Sequence, residues 1–256
     1  MKVSIITVCS NSAATIRDAI DSVLGQTYAD IEYIVVDGAS TDGTVDILRE
    51  YEEEIARIIS EPDGGIYDAI NKGISFATGD IVGILNSDDF FESPDTIQYV
   101  VNGFCSGSYV DIVFGDVVFV ESSDLATVKR FYSSRRFKPW KLRFGWMPPH
   151  PGTFVRRGAY TKCGQYSLKY KISSDYEMFV RWLIVENLPY LRIDQVLVRM
   201  RQGGVSTAGL RSNFLLNREI VDACVSNGLY TNLLFLLAKI PFKLLELIRK
   251  PRLQIL

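Results

Sequence analysis

Short apolar runs alternate with amphipathic segments along the first hundred residues of the 256-residue chain. Residues 3–8, 31–36, 55–59 and 81–85 are rich in Val and Ile, and runs this short and apolar predict strands covered on both faces. Between them, apolar residues recur at helical spacing. Ala13, Ile16, Ala19, Ile20, Val23 and Leu24 predict a helix over 13–24, and similar spacing predicts helices over 44–51 and 66–77. Ser40-Thr41-Asp42-Gly43 supplies turn and cap chemistry ahead of the second helix. Repeated β-α-β units require right-handed crossovers, so an α/β fold with a largely parallel sheet is expected.

Beyond Pro94 the pattern loosens. A helix to about Gly103, a β-rich stretch over 110–120 and a basic, aromatic stretch over 129–146 follow in turn. Pro148, Pro149 and Pro151 stiffen the loop around His150, the only histidine. A helix is predicted over 175–185 and a strand over 190–200, then a loop at Gly203-Gly204. From about residue 213 the pattern is helical, interrupted at Pro241. There is no internal repeat.

Charge divides the chain. Residues 1–124 hold 23 of the 30 acids and only 5 of the 28 bases, and no acid occurs between Leu125 and Ser174. The two parts either attract each other, or the basic part faces an anion such as phosphate or a membrane surface. The four cysteines are widely spaced, which argues against a zinc knuckle or a disulfide framework and suits a reducing compartment. Neither a signal peptide nor a spanning segment is expected. No Gly-x-Gly-x-x-Gly follows a strand and no P-loop pattern occurs, so dinucleotide oxidoreductases and P-loop enzymes are poorly supported.

The most informative chemistry lies at Asp88 and Asp89, directly after the 81–85 run. Open α/β sheets bind ligands at the carboxyl ends of their strands. Two adjacent carboxylates repel each other, and a divalent cation such as Mg²⁺ or Mn²⁺ would relieve that repulsion while sharing substrate phosphates. Asp37 and Asp63 stand at two further strand-to-helix junctions, so all could line one sheet edge. Ser174 with Glu177 makes a capping-box pattern that puts Asp175 in a first helical turn. There it either complements the helix dipole or serves as a base, with a pKa expected to be depressed by the helix terminus.

Several segments occur together in order: Asp37-Gly38-Ala39-Ser40-Thr41-Asp42-Gly43, Asp63-Gly64-Gly65-Ile66-Tyr67-Asp68-Ala69-Ile70-Asn71-Lys72-Gly73, Gly79-Asp80 and Asn86-Ser87-Asp88-Asp89. Over residues 3–206 this joint pattern closely resembles the inverting family 2 glycosyltransferases of GT-A fold that build bacterial surface polysaccharides. The resemblance implies a Rossmann-like nucleotide-sugar-binding sheet over 1–100, an acceptor-binding and catalytic-base part over 101–212, and a helical tail over 213–256. It implies that Asp37, Asp63, Lys72 and Asp88 lie near the nucleotide of a donor such as a UDP-sugar. It also implies that Asp88 and Asp89 hold metal and that Asp175 is the general base, with Glu177 the fallback. His150 falls on an acceptor-side loop, although a lone histidine is more often structural, and Arg201 falls on a late loop near the diphosphate, where it is equally readable as solvated. Two departures stand out. Val8-Cys9-Ser10-Asn11 lacks the tyrosine that relatives offer for base stacking, and Asn86 replaces a frequent Asp.

The expected partners are a nucleotide-sugar donor and a saccharide acceptor, lipid-linked in O-antigen or capsule-type synthesis. No nucleic acid is expected; a homodimer is an open option. A sugar nucleotidyltransferase or a non-catalytic binding paralogue are the alternatives. In the tail, Leu233, Leu237, Ile240, Leu244 and Ile248 recur at helical spacing beside Lys239, Lys243 and Lys250. This reads either as a packing helix or as an amphipathic anchor on the cytoplasmic face of the membrane.

Overall fold

The computed structural model describes residues 1–202 and 210–237. Four parallel strands, β1 (Val3–Cys9), β2 (Ile31–Asp37), β3 (Arg57–Ser60) and β4 (Ile81–Asn86), alternate with the helices α1 (Ile16–Leu24), α2 (Thr44–Glu50) and α3 (Ile66–Phe76). Next come β5 (Asp89–Phe91), α4 (Thr96–Phe104), β6 (Ile112–Glu121), β7 (Asp124–Tyr132), β8 (Thr153–Arg156), α5 (Arg157–Cys163) and α6 (Ser174–Val180). A π turn, Arg181–Val185, extends α6 and leads to β9 (Tyr190–Arg201), α7 (Leu210–Ser226) and the short α8 (Leu233–Leu237).

Among the described residues nine strands join one sheet in the order β3-β2-β1-β4-β8-β6-β9-β5, with β7 beside β6. The α/β reading holds, and one sheet takes strands from both the 1–100 and the 101–212 parts. The expected parallel half is β3 to β4. Beyond it β8 runs antiparallel to both β4 and β6, while β6 and β9 are parallel. Local pattern could not foresee this arrangement, because pairing across the sheet joins segments far apart in sequence.

Alternation within the strands sends Ile6, Val8, Ile34, Val36, Val82 and Ile84 to one face, against α3 and α6. Val3, Ile5, Val35, Ile81 and Leu85 go to the other, against α1 and α4. Each such buried aliphatic side chain contributes about 2 kcal/mol. Gly73 lets α3 lie close on β1: a Cβ there would come 2.4 Å from the Ile6 side chain. Gly65, at φ 116°, makes the turn that starts α3 directly after Asp63.

Differences from expectation are local. The first helix starts at Ile16, because Ser12 and the 40–44 loop hold the residues before it in a turn. The predicted 175–185 helix is α6 plus the π turn. The predicted loop at Gly203-Gly204, and the tail beyond Leu237 with Pro241, lie outside the described residues.

Candidate active site

Strand register decides where the acids meet. Cys9 lies opposite Asp37, Val8 opposite Asn86, and Asp37 opposite Ser60, so the loops after β1 to β4 leave one edge of the sheet. A cleft of about 900 Å³ opens there. Asp63, Asp88, Asp89, His150, Asp175 and Arg201 all line it.

The carboxylate pair sits one turn beyond its expected strand end. β4 stops at Asn86, and Asp89 opens β5, where it pairs with Met200 of β9. Asp89 is 1% exposed and accepts the Asn86 side-chain amide at 3.0 Å. Burial, then the charge of Asp88, push the Asp89 carboxyl well above the usual range. Burial also raises Asp88, with Arg201 opposing. A buried carboxylate whose ionisation is disfavoured by a half-buried neighbour, beside a polar cleft, fits a hard divalent cation. Among the described residues no group of three or more His, Cys, Asp or Glu could hold a metal, so these two would be the protein's share of such a site. Substrate oxygens and water would complete it.

Asp175 lies elsewhere on the cleft wall. Its Oδ1 accepts the Tyr176 N–H at 2.7 Å and, at 3.2 Å, shares the Tyr67 hydroxyl proton with the Ile172 carbonyl, which lies 2.6 Å from that hydroxyl. The depressed pKa expected from the helix terminus is not found. Burial raises the Asp175 carboxyl and outweighs the opposing influence of His150, Tyr176 and Tyr67. A helix of seven residues has too little dipole to offset that loss of water.

The expected capping box is also absent. The Ser174 hydroxyl is buried without a hydrogen-bond partner among the described residues, and Glu177 pairs with Arg181 through two bonds of 2.8 Å. The loop into α6 is fastened from α7 instead. The buried Glu219 carboxylate accepts the N–H groups of Lys171, Ile172 and Ser173, each at 2.9 Å. The Asn71 side chain clamps the backbone of Tyr166 in both directions, at 2.8 and 2.9 Å, and Tyr166 stacks on Tyr67 at 5.8 Å. His150 Nε2 lies 2.8 Å from the Tyr166 hydroxyl, and burial lowers its pKa, favouring the neutral ring.

Three expected site residues stand apart from the cleft surface. Asp37 is wholly buried beneath it, accepting Ser40 N–H at 3.0 Å and Ser60 Oγ at 2.7 Å. Lys72 faces Glu61 at 3.0 Å and the Pro62 carbonyl at 3.0 Å, so it braces the segment before Asp63. Glu177, the fallback base, is occupied by Arg181 and does not line the cleft. Arg201 lines the cleft but is pinned, donating to the Asp88 carbonyl at 2.8 Å and to Asp18. Sequence reasoning missed Arg130 and Lys171, both cleft-lining bases. Their one signal was membership of the acid-free stretch.

A family model described as "Glycosyl transferase family 2" matches residues 4–163. The chain belongs to glycosyl transferase family 2. This glycosyltransferase is 32% identical over 181 residues to a "PGL/p-HBAD biosynthesis glycosyltransferase" of Mycobacterium bovis, covering 70% of this chain and 68% of that protein. Its fold is similar to that of S. aureus TarS residues 1–349 in complex with UDP-GlcNAc. The TM-score is 0.68 at 17% identity, over 88% of this chain and 67% of that one. A Pyrobaculum calidifontis mannosyltransferase in complex with GDP-Man and Mn²⁺ gives 0.65 at 20% identity, over 88% and 63%. The chain spans only 40% of the longer TarS chain in another crystal structure. At these identities the structures show the shared fold, GT-A. The family match takes in Asp37, Asp63, Asp88, Asp89 and His150 of this glycosyltransferase and ends before Asp175.

Proposed function

We propose that this glycosyltransferase moves a sugar, with inversion, from a nucleoside-diphosphate donor to a hydroxyl of a saccharide acceptor. The donor is a UDP-sugar, and the acceptor is carried on a lipid diphosphate in surface-polysaccharide synthesis at the cytoplasmic face of the membrane. The observation that carries this reading is that one cleft is lined by the Asp88-Asp89 pair and by Asp175. The UDP-GlcNAc bound by TarS and the GDP-Man and Mn²⁺ bound by the mannosyltransferase support a nucleotide-sugar donor and a divalent metal.

Asp88 and Asp89 hold a divalent cation, Mn²⁺ or Mg²⁺, which when bound supplies the positive charge a departing diphosphate needs. Asp37, buried under the donor end of the cleft, fixes the 37–40 loop through Ser40 and Ser60, and Asp63 borders the nucleotide. Asp175 takes the proton from the acceptor hydroxyl as that oxygen attacks the anomeric carbon. The new C–O bond forms while the bond to the diphosphate breaks, and its electron pair leaves with the nucleoside diphosphate. Burial suits Asp175 to this task, since a raised pKa makes a carboxylate a stronger base. Arg130 and Lys171 face the anionic parts of donor or acceptor.

The test is a panel of nucleotide sugars with lipid-diphosphate-linked saccharides, with the product's anomeric configuration read by NMR. Transfer with inversion, abolished by chelator and restored by Mn²⁺ or Mg²⁺, is expected. A retained configuration would overturn the single displacement, and full activity in chelator would overturn the metal role.

A further inference from the structure

Away from the cleft, four aromatic rings form a ladder between two segments distant in sequence. In the 3₁₀ turn Pro139–Phe144, Trp140 meets Phe144 edge-on at 5.9 Å. Phe144 stacks on Phe235 of α8 at 5.1 Å, and Phe235 meets Tyr230 at 5.8 Å. The Thr231 hydroxyl fastens the same junction by donating to the Arg143 carbonyl. The ends of the ladder face water: Trp140 is 55% exposed and Tyr230 66%. α8 turns Leu236 inward and leaves Leu233, Leu234 and Leu237 outside, Leu234 at 75% exposure.

Bases gather at the edge of this apolar surface. Arg136 and Lys138 lie close enough to Lys141 that their charges, after burial, hold its amine below the usual range. Lys141 reaches over the Trp140 and Trp146 rings at 5.7 and 5.2 Å. The stretch that supplies these bases contains no acid from Leu125 to Ser174. The sequence beyond α8 has the same sign, with Lys239, Lys243, Arg249, Lys250 and Arg252 against Glu246. Such a surface suits neither an equally basic second copy nor a purely apolar groove partner. It combines amphipathic aromatics, protruding leucines and bases with no acid partner among the described residues, which is the chemistry of a bilayer interface carrying anionic headgroups.

We propose that the folded patch of Trp140, Tyr230 and Leu234, with Arg136, Lys138 and Lys141, docks this glycosyltransferase on an anionic phospholipid surface. The two aromatics sit at headgroup depth, Leu234 reaches the acyl boundary, and the bases meet headgroup phosphates. The proposal draws its purpose from the lipid-linked acceptor proposed above. Tyr176, the neighbour of Asp175 on α6, donates to the Leu142 carbonyl, so the docking turn is fastened to the element bearing the proposed base.

The experiment is co-sedimentation of the full chain with vesicles of phosphatidylglycerol in phosphatidylcholine, against phosphatidylcholine alone, at low and high salt. The wild type should pellet with anionic vesicles at least tenfold more than with neutral ones, and salt should release it. Trp140→Ser with Leu234→Glu should lower that binding at least tenfold. Arg136→Ser with Lys138→Ser and Lys141→Ser should lower it about a hundredfold and flatten the salt dependence. All variants alter exposed or half-buried positions, and unchanged melting would verify their fold. Transfer to a soluble, short-chain acceptor should stay within twofold throughout, which separates this result from failure of the glycosyltransferase reading. Wild type that ignores anionic vesicles, or patch variants that pellet as wild type does, would overturn the proposal. So would patch variants that convert a vesicle-free dimer to monomer without changing vesicle binding, since the patch would then join two copies.

Discussion

The cleft has two acidic regions, and their neighbours set them apart. Asp88 and Asp89 are raised by burial, and Asp89 also by the charge of Asp88 alongside it. Asp175 is raised by burial too, but around it stand Tyr67, a backbone N–H and a neutral histidine rather than another acid. A cation would relieve the first environment and a proton the second. The same functional group therefore meets a like charge in one place and only neutral neighbours in the other, which is the difference the proposed metal and base roles rest on.

The largest expected effect breaks the second region. Asp175→Asn keeps the shape and removes the proton acceptor, so transfer should fall about a thousandfold while donor affinity, measured by calorimetry, is unchanged. Near wild-type transfer would pass the role to another group, and His150 is the cleft-lining candidate.

Asp89→Asn should lower turnover roughly a hundredfold or more through loss of metal-assisted leaving-group stabilisation. It also sharpens the contrast. In chelator the Asn variant should melt higher than wild type, because a like-charged buried pair has gone. Asp175→Asn should show no such dependence on chelator.

Glu219→Gln tests the clamp beneath the base. Its three N–H acceptances at 2.9 Å are to a buried charged group, so about 2 kcal/mol of stability should be lost, lowering Tm by about 4–8 °C. A kcat loss with little change in donor KM is expected alongside.

Activity against pH then reads the Asp175 environment. The base must be ionised, so kcat/KM should fall as pH drops through a folded-state pKa lying above the ordinary carboxylate value. The Tyr67 hydroxyl favours the ionised form. Tyr67→Phe should therefore move the acid limb to higher pH and cost about tenfold in rate below it. An unmoved limb would detach Tyr67 from the base.

Lys72→Met should have the smallest effect. Its partners are Glu61 and Asp68, partly exposed ion pairs outside the cleft, so stability should change little and donor KM by no more than about twofold. A tenfold rise in donor KM would bring Lys72 to the nucleotide after all.

Much of the donor half was legible in the chain. The short Val- and Ile-rich runs at β1, β2 and β4 can be buried only between two helical layers, and β-α-β connections have one handedness, so the acids at their ends were bound to share an edge. The second half was less legible because its partners are remote. Ser174 and Glu177 match a capping pattern, yet Arg181 claims Glu177 and Glu219 arrives from α7 to do the capping. Nothing near Asp175 in sequence announces Glu219, Tyr67 or Tyr166. The aromatic ladder likewise joins Phe144 to Phe235 across ninety-one positions.

By itself, then, the sequence determined the layered α/β core and the acids at its strand ends, because periodicity and β-α-β handedness act between neighbours along the chain. Tertiary structure alone decided the pKa of Asp175, the isolation of Glu177, the burial of Asp37 and the junction of the 3₁₀ turn with α8. Desolvation and hydrogen-bond competition depend on which distant groups displace water, and only the folded chain brings those groups together.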